Sequence, residues 1–248
     1  MKTHALQAWE NAGFLFAVML LTLILAASGI ALLVFLIRKP ARKFKYIDLA
    51  VFDWLQKHTH PARNQFMLFI TALAKHQFLI PANLILIIFF LFINKRSWFS
   101  IRVAAIALSS LLLMLVLKKL FRRKRPLSPL LKAVKGLSFP SGHAIMAVTF
   151  YGLIIYILFH SVENAALRYL FTALLIILIL LIGFSRIYLR VHYISDVTAG
   201  FIIGLVWLLI SLAVLNSIEN YFREKGVKAE DIPTNIVGCQ NLQVANSS

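Results

Sequence analysis

The chain has 248 residues, 60% of them hydrophobic and only 14% charged, with a formal net charge of +17. A soluble domain of this size exposes far more charge and does not carry long charge-free apolar runs, so the composition excludes a soluble fold. The basic residues sit almost wholly in the connections between apolar runs, where they meet lipid headgroups or an anionic substrate, and no nucleic-acid partner is expected. Cys239 is the one cysteine, and a single thiol makes neither an internal disulfide nor a zinc site.

The first apolar run, Gly13 to Ile37, is too long for a signal-peptide core and reads as a retained anchor. In the connection that follows, Ile47, Val51, Trp54 and Leu55 fall on one helical face, with Asp48, Asp53 and Lys57 around the rest. This pattern predicts a short helix lying at the membrane surface. Asn64 to Ala74 is apolar but too short to span, and predicts a second interfacial or partly buried helix. Further spans are expected over 77–93, 97–117, 144–159, 169–185 and 197–218, each able to cross about 30 Å of hydrocarbon. The limits of 77–93 and 97–117 are the least defined, because the runs are short or include Arg102. Trp98 and Tyr169, near span ends, suit interfacial anchoring. Gly200 and Gly204 form a GxxxG pair that suits close packing within the bundle or, alternatively, a homodimer contact. The expected fold is therefore all-α: a polytopic six-transmembrane-helix bundle with interfacial helices between the first two spans. Residues 1–227 form the membrane domain, and 228–248 a disordered polar tail.

Six spans place the connections 38–76, 118–143 and 186–196 on one side and both termini on the other. The two chemically dense stretches thus share a side. One holds Lys118, then Arg125-Pro126, then Pro140-Ser141-Gly142-His143; the other holds Ser185-Arg186, His192 and Asp196. Lys118, Arg125 and Arg186 are three cations suited to a multiply charged oxyanion, and arginine offers the planar fork that matches phosphate. Ser141 and Gly142 precede a span, where backbone N–H groups at a helix N-terminus attract anions. His192 and Asp196 are one helical turn apart, so the carboxylate can hold one imidazole nitrogen and leave the other as a nucleophile. His143 supplies a second imidazole to protonate a leaving oxygen. Of nine acidic residues, only Asp196 falls in this constellation, whereas a two-metal phosphatase needs a carboxylate cluster, so neither metal nor cofactor is expected.

The three spaced motifs, Lys118-x6-Arg125-Pro126, Pro140-Ser141-Gly142-His143 and Ser185-Arg186-x5-His192-x3-Asp196, resemble in order and register the signature of the type 2 phosphatidic acid phosphatase superfamily. They cover 118–196, on spans three to five of six, as that family arranges them. The resemblance implies that His192 attacks phosphorus, that Asp196 orients it, and that His143 is the general acid. It further implies that Lys118, Arg125, Ser141, Gly142 and Arg186 bind the phosphate oxygens. The family includes phosphatidate, phosphatidylglycerophosphate and undecaprenyl diphosphate phosphatases and related lipid phosphotransferases. The expected partners are a phosphorylated membrane lipid and the bilayer itself.

Other basic residues near span ends, Lys119, Arg122, Arg123, Lys124, Lys132 and Lys135, read as topological signals or snorkelling anchors. His4, His58, His60, His76 and His160 have no suitably spaced partners. A lipid phosphotransferase is the rival within enzymes. A transporter of phosphorylated lipid or anions is the rival outside them, and it calls for ionisable groups deep in the spans. Eighteen Lys and Arg accompany the motif-bearing connections against eight on the side of the termini, a bias that places the site in the cytoplasm. The resemblance implies the reverse, cytoplasmic termini and a site facing the periplasm, cell exterior or organelle lumen, and the compact six-span form without added domains suggests a bacterial inner or cell membrane. The resemblance takes precedence here, because basic connections beside the site also attract anionic headgroups.

Overall fold

The computed structural model describes residues 59–126 and 136–224, together with 48, 50–52, 54, 55, 57 and 130. The expected first span at 13–37, the tail at 228–248, and His4, His58, Lys132, Lys135 and Cys239 lie outside them. All regular elements among the described residues are helical. In chain order they are α1 (Pro61–Ala72), α2 (His76–Ile88), α3 (Ser97–Phe121), α4 (Gly142–Ser161), α5 (Ala165–Tyr188) and α6 (Ile194–Glu224), and α2 continues into a π-helical turn, Phe89–Ile93. Five of these are long and apolar enough to cross a membrane: His76–Ile93, Ser97–Phe121, Gly142–Ser161, Ala165–Tyr188 and Ile194–Arg223. They coincide with the five described spans expected from sequence, lengthened by a few residues at their ends.

The helix limits follow from local chemistry. Pro61 starts α1, where its missing N–H costs nothing, and His60 Nδ1 accepts from the Ala62 N–H at 3.3 Å. Asn164 caps α5 by accepting from the Leu167 N–H at 3.1 Å. Arg122 ends α3 in the left-handed conformation, φ 46°, with its N–H on the Lys118 carbonyl. At 12 residues, α1 is too short to span; it buries Met67, Ile70 and Thr71 and packs along α5.

At the centre, α4 packs against α3, α5 and α6. Ala144, Ile145, Ala147 and Leu153 are sealed from solvent there. The close approach of α6 depends on two glycines. A Cβ at Gly200 would lie 2.8 Å from Ala144 Cβ and 2.9 Å from the Ser141 carbonyl oxygen, and one at Gly204 would lie 3.1 Å from the Ile145 carbonyl. Their use in this chain is thus packing within the bundle. Large apolar side chains on the outer faces, such as Leu108 and Leu112 of α3 and Leu174 and Ile177 of α5, are exposed as lipid-facing residues are.

Arg102, the charge that blurred the third span, is buried in α3 and neutralised from α6. It ion-pairs with Glu219, donates to Asn216 Oδ1 at 2.7 Å, and stacks 5.3 Å from the Phe99 ring. Tyr156 of α4 donates to the same Asn216 oxygen at 3.0 Å. A membrane helix tolerates a charge that faces the bundle and meets a partner.

One expectation for the surface stretch is corrected. Asp48 is only 1% exposed, and Phe52 and Leu55, four and seven residues on, are buried with it, whereas Trp54 is 58% exposed. Of the expected apolar face, Leu55 and Val51 do pack inward and Ile47 lies outside the described residues, but Trp54 turns out and Asp48 and Phe52 take the inward side, with a carboxylate at its head. The buried pairing of that carboxylate, described below, outweighs the apolar pattern.

Candidate active site

Three connections meet at one end of the bundle. Lys118 lies on the last turn of α3, and after Arg122 the chain runs across the bundle end. There the Arg123 carbonyl accepts from the Ser138 N–H at 2.7 Å, and Arg125 Nη1 donates to the Val191 carbonyl at 3.1 Å. The Ser141 N–H donates to the Asp196 carbonyl at 3.0 Å, which fixes the start of α4 against the start of α6. Gly142 opens α4 with its Cα close over Met114 and Lys118: an added Cβ would fall 2.4 Å from Met114 Sδ and 3.7 Å from Lys118 Nζ.

From the other side, Arg186 ends α5 with Nη1 on Thr71 Oγ1 at 2.7 Å. Arg190 takes the left-handed conformation, φ 55°, and the chain doubles back so that the Val191 and His192 N–H groups both reach the Arg186 carbonyl, at 3.2 and 3.3 Å. This turn sets His192 beside Arg186 and just ahead of α6. Ser185 is turned away, its hydroxyl bonded to the Ile182 carbonyl of its own helix at 2.6 Å.

His192 is 1% exposed, and its Nδ1 lies 3.5 Å from Asp196 Oδ2, an ion-pair distance just short of a formed hydrogen bond. Burial pulls the imidazole from its ordinary 6.5 down to about 4, against the opposing pull of Asp196 and with help from the charges of Arg186 and Arg125. His192 is therefore neutral at physiological pH, with a lone pair to give. Burial likewise lowers the Arg125 guanidinium, opposed by Asp196.

Asp196 is held from every side. Oδ1 accepts from Arg123 Nη1 at 2.8 Å; Oδ2 accepts from the Tyr193 N–H at 3.0 Å and from the Ser138 hydroxyl. Such a carboxylate is fixed in direction as well as in charge.

Four buried side-chain polar atoms here lack a partner: Ser141 Oγ, His143 Nε2, Arg125 Nε and Arg186 Nε, while His192 Nδ1, also without a formed hydrogen bond, faces Asp196. Among the described residues eight buried side-chain polar atoms make no hydrogen bond, and five of them, His192 Nδ1 included, fall on the residues singled out by sequence. Buried polar atoms are ordinarily satisfied, and a cluster of exceptions marks a place for a ligand. Lys118, Arg125 and Arg186 stand close enough to repel one another, and His143 feels the charges of Arg186, Lys118 and Lys75. A compact, multiply charged oxyanion would relieve that repulsion and supply acceptors together.

Several residues at the site were not anticipated. Arg123, read from sequence as an anchor, is bonded to Asp196, Ser195 and Asp48. Its signal is hidden in the run Arg122-Arg123-Lys124-Arg125, where every position looks alike. Asp48 brings a second carboxylate to the site, correcting the expectation that Asp196 stands there alone; its seven-residue register with the buried Leu55 is the sequence signal that points it inward. The Arg123 guanidinium lies between the two carboxylates and bonds to both. Among the described residues no group of three or more His, Cys, Asp or Glu side chains is arranged to hold a metal ion. Of the remaining histidines, His60 caps α1, and His160 contacts the Tyr156 carbonyl through Nδ1 at 2.8 Å.

Comparison with known proteins accords with this geometry. A PAP2 superfamily model matches residues 98–219. The chain is 31% identical over 150 residues to phosphatidylglycerophosphatase B of Bacillus subtilis (strain 168), covering 59% of this chain and 72% of that one. It is 30% identical over 88 residues to lipid phosphate phosphatase delta of Arabidopsis thaliana, covering 35% of this chain and 21% of that one. The fold matches the crystal structure of the transmembrane PAP2-type phosphatidylglycerolphosphate phosphatase from Bacillus subtilis with a TM-score of 0.69 at 26% identity, over 77% of this chain and 96% of that one. LpxE of Aquifex aeolicus matches with a TM-score of 0.52 at 29% identity, over 66% and 94%. With its spans, motif order and clustered cations all in agreement, this chain is a member of the PAP2 superfamily.

Proposed function

We propose that this membrane phosphatase hydrolyses a phosphomonoester or diphosphate of a membrane lipid through a phosphohistidine intermediate, without a metal ion. The lipid tail stays in the bilayer while the phosphate enters the polar end of the bundle. Lys118, Arg125 and Arg186 hold its oxygens, joined by the Ser141 hydroxyl and the N–H groups that open α4. Nε2 of neutral His192 attacks phosphorus as the bond to the leaving oxygen breaks, that of the lipid alcohol in a monoester or of the lipid monophosphate in a diphosphate, and His143, protonated once the bound phosphate offsets the cations around it, gives that oxygen a proton. Asp196 steadies the imidazolium that forms. Water, deprotonated by His143, then attacks the phosphohistidine, releasing phosphate and restoring His192.

The observation that carries this reading is the cluster of four unpartnered buried polar atoms, on Ser141, His143, Arg125 and Arg186, beside the buried His192. Phosphatidylglycerophosphate is the first substrate to assay, since the relative covered over 72% of its length is named for that reaction. Undecaprenyl diphosphate and phosphatidate complete the panel. Termini in the cytoplasm and a site facing the periplasm or exterior complete the proposal, tested by labelling a cysteine introduced into 118–143 in a Cys239→Ser background.

The chemical test is rapid quenching with 32P-labelled lipid. An acid-labile, alkali-stable label on His192, formed and lost at rates that account for turnover, is the expected result. Turnover with no protein-bound label at any time would end the proposal.

A further inference from the structure

We infer that Arg123 and Asp48 form a positioning pair that aims Asp196, and through it His192. This rests on the reading of His192 as the nucleophile.

Asp48 is a buried carboxylate with three donors: Ser195 Oγ at 3.0 Å, the Ser195 N–H at 3.4 Å and Arg123 Nη2 at 3.1 Å. The other arm of the same guanidinium, Nη1, donates to Asp196 Oδ1 and to Ser195 Oγ, both at 2.8 Å. Its central carbon lies 4.1 Å from the centre of the Tyr193 ring, and the Tyr193 N–H holds Asp196 Oδ2. Arg123 is 31% exposed, yet both terminal nitrogens end on carboxylates. That distinguishes it from Arg125 and Arg186, whose bonds end on neutral oxygens, the Val191 carbonyl and the Thr71 hydroxyl.

The geometry has a directional consequence. Oδ2 is held by the Tyr193 N–H and the Ser138 hydroxyl, and Arg123 ties Oδ1, the second point that stops the carboxylate turning about Oδ2 and away from His192 Nδ1. Asp48 holds the second arm, so the guanidinium cannot swing toward the phosphate and abandon Asp196. Only a planar two-armed cation spans both carboxylates; a lysine ammonium in the same place reaches one at a time. Arg190 adds a tie of its own, donating to the Phe52 carbonyl at 3.4 Å, and so helps hold the Asp48 stretch against the turn that carries His192.

The test uses the full chain in detergent with lipid substrate in mixed micelles. Arg123→Gln and Asp48→Asn are expected to lower kcat by about 10- to 100-fold with KM changed less than about threefold, because orientation is lost and phosphate binding is kept. Arg123→Lys is expected to recover melting temperature without recovering kcat. Guanidinium ion added to Arg123→Ala is expected to restore part of kcat at unchanged melting temperature, a response that a purely structural role would not give. The double variant Arg123→Gln/Asp48→Asn should be no slower than the slower single variant. A kcat within twofold of wild type, a loss carried by KM, or full recovery in Arg123→Lys would overturn the pair. Phosphohistidine trapping on the wild type separates the two readings. If no label forms, the nucleophile assignment falls; if label forms at full rate in Arg123→Gln, the positioning pair alone falls.

Discussion

Asp196 Oδ2 lies 3.5 Å from His192 Nδ1, although one residue opens α6 and the other sits in the turn before it. The two groups face each other because the left-handed Arg190 folds His192 back onto Arg186, while the Ser141 N–H pins the Asp196 backbone. The pair is thus set by the turn and by a second helix as well as by its four-residue spacing.

Removing the imidazole should stop the reaction and spare the fold. His192→Ala is expected to lose about 10³-fold or more in kcat. Its elution as a monodisperse micellar species and its melting temperature should stay close to wild type. Retained turnover in this variant would remove His192 from the chemistry.

The pH response follows from the lowered pKa. Burial keeps His192 neutral down to about 4, so the acid limb of kcat/KM in the free enzyme should inflect near 4 and not near the ordinary 6.5. For stability the sign is the opposite of a paired histidine. Between 6.5 and 4 the unfolded chain takes up a proton that the folded chain refuses, so this group lowers stability as pH falls through that window. His192→Gln should flatten the slope of melting temperature against pH there.

A pentavalent oxyanion should compete with substrate. Vanadate offers the trigonal-bipyramidal shape that His192 and the three cations would stabilise in transit. Competitive inhibition, lost in Arg186→Ala, is expected, and EDTA should leave the rate unchanged. A rate abolished by EDTA and restored by Mg²⁺ would refute the metal-free mechanism.

The contact between α4 and α6 admits no side chain at Gly200. A Cβ there meets Ser141 backbone and Ala144 Cβ inside 3 Å, neither of which can swing aside. Gly200→Val is expected to destabilise by about 1–3 kcal/mol and, by displacing Ser141, to lower kcat as well. Thermal melts in detergent beside kcat would show both.

At the far end of the bundle, Glu219→Ala leaves the Arg102 guanidinium buried with only Asn216. A loss of about 1–3 kcal/mol is expected, reduced from the fully buried case because Glu219 keeps some solvent contact. kcat should be unaffected, since this cluster shares no hydrogen bond with the site.

Much of the architecture was legible because a bilayer imposes length and polarity on each helix. The described spans followed from apolar runs, and Lys118, Arg125, Ser141, Gly142, His143, Arg186, His192 and Asp196 stood out by spacing and converge at one bundle end. Arg123 was hidden for the opposite reason: in a run of four cations, sequence carries no signal for which one turns inward. Arg102 looked like a flaw in a span until Glu219, 117 residues away, proved to face it.

By itself, then, the sequence determined the class of the molecule, the positions of the described spans and the chemical inventory of one end of the bundle, because these depend on local polarity and spacing. The tertiary structure alone decided which charges pair. Asp48 meets Ser195 across 147 positions and Arg123 meets Asp196 across 73, and such contacts exist only once helices pack and water is withdrawn. Burial, which no local pattern encodes, lowers the His192 pKa to about 4, and packing sets an arginine from a run of four cations between two buried carboxylates.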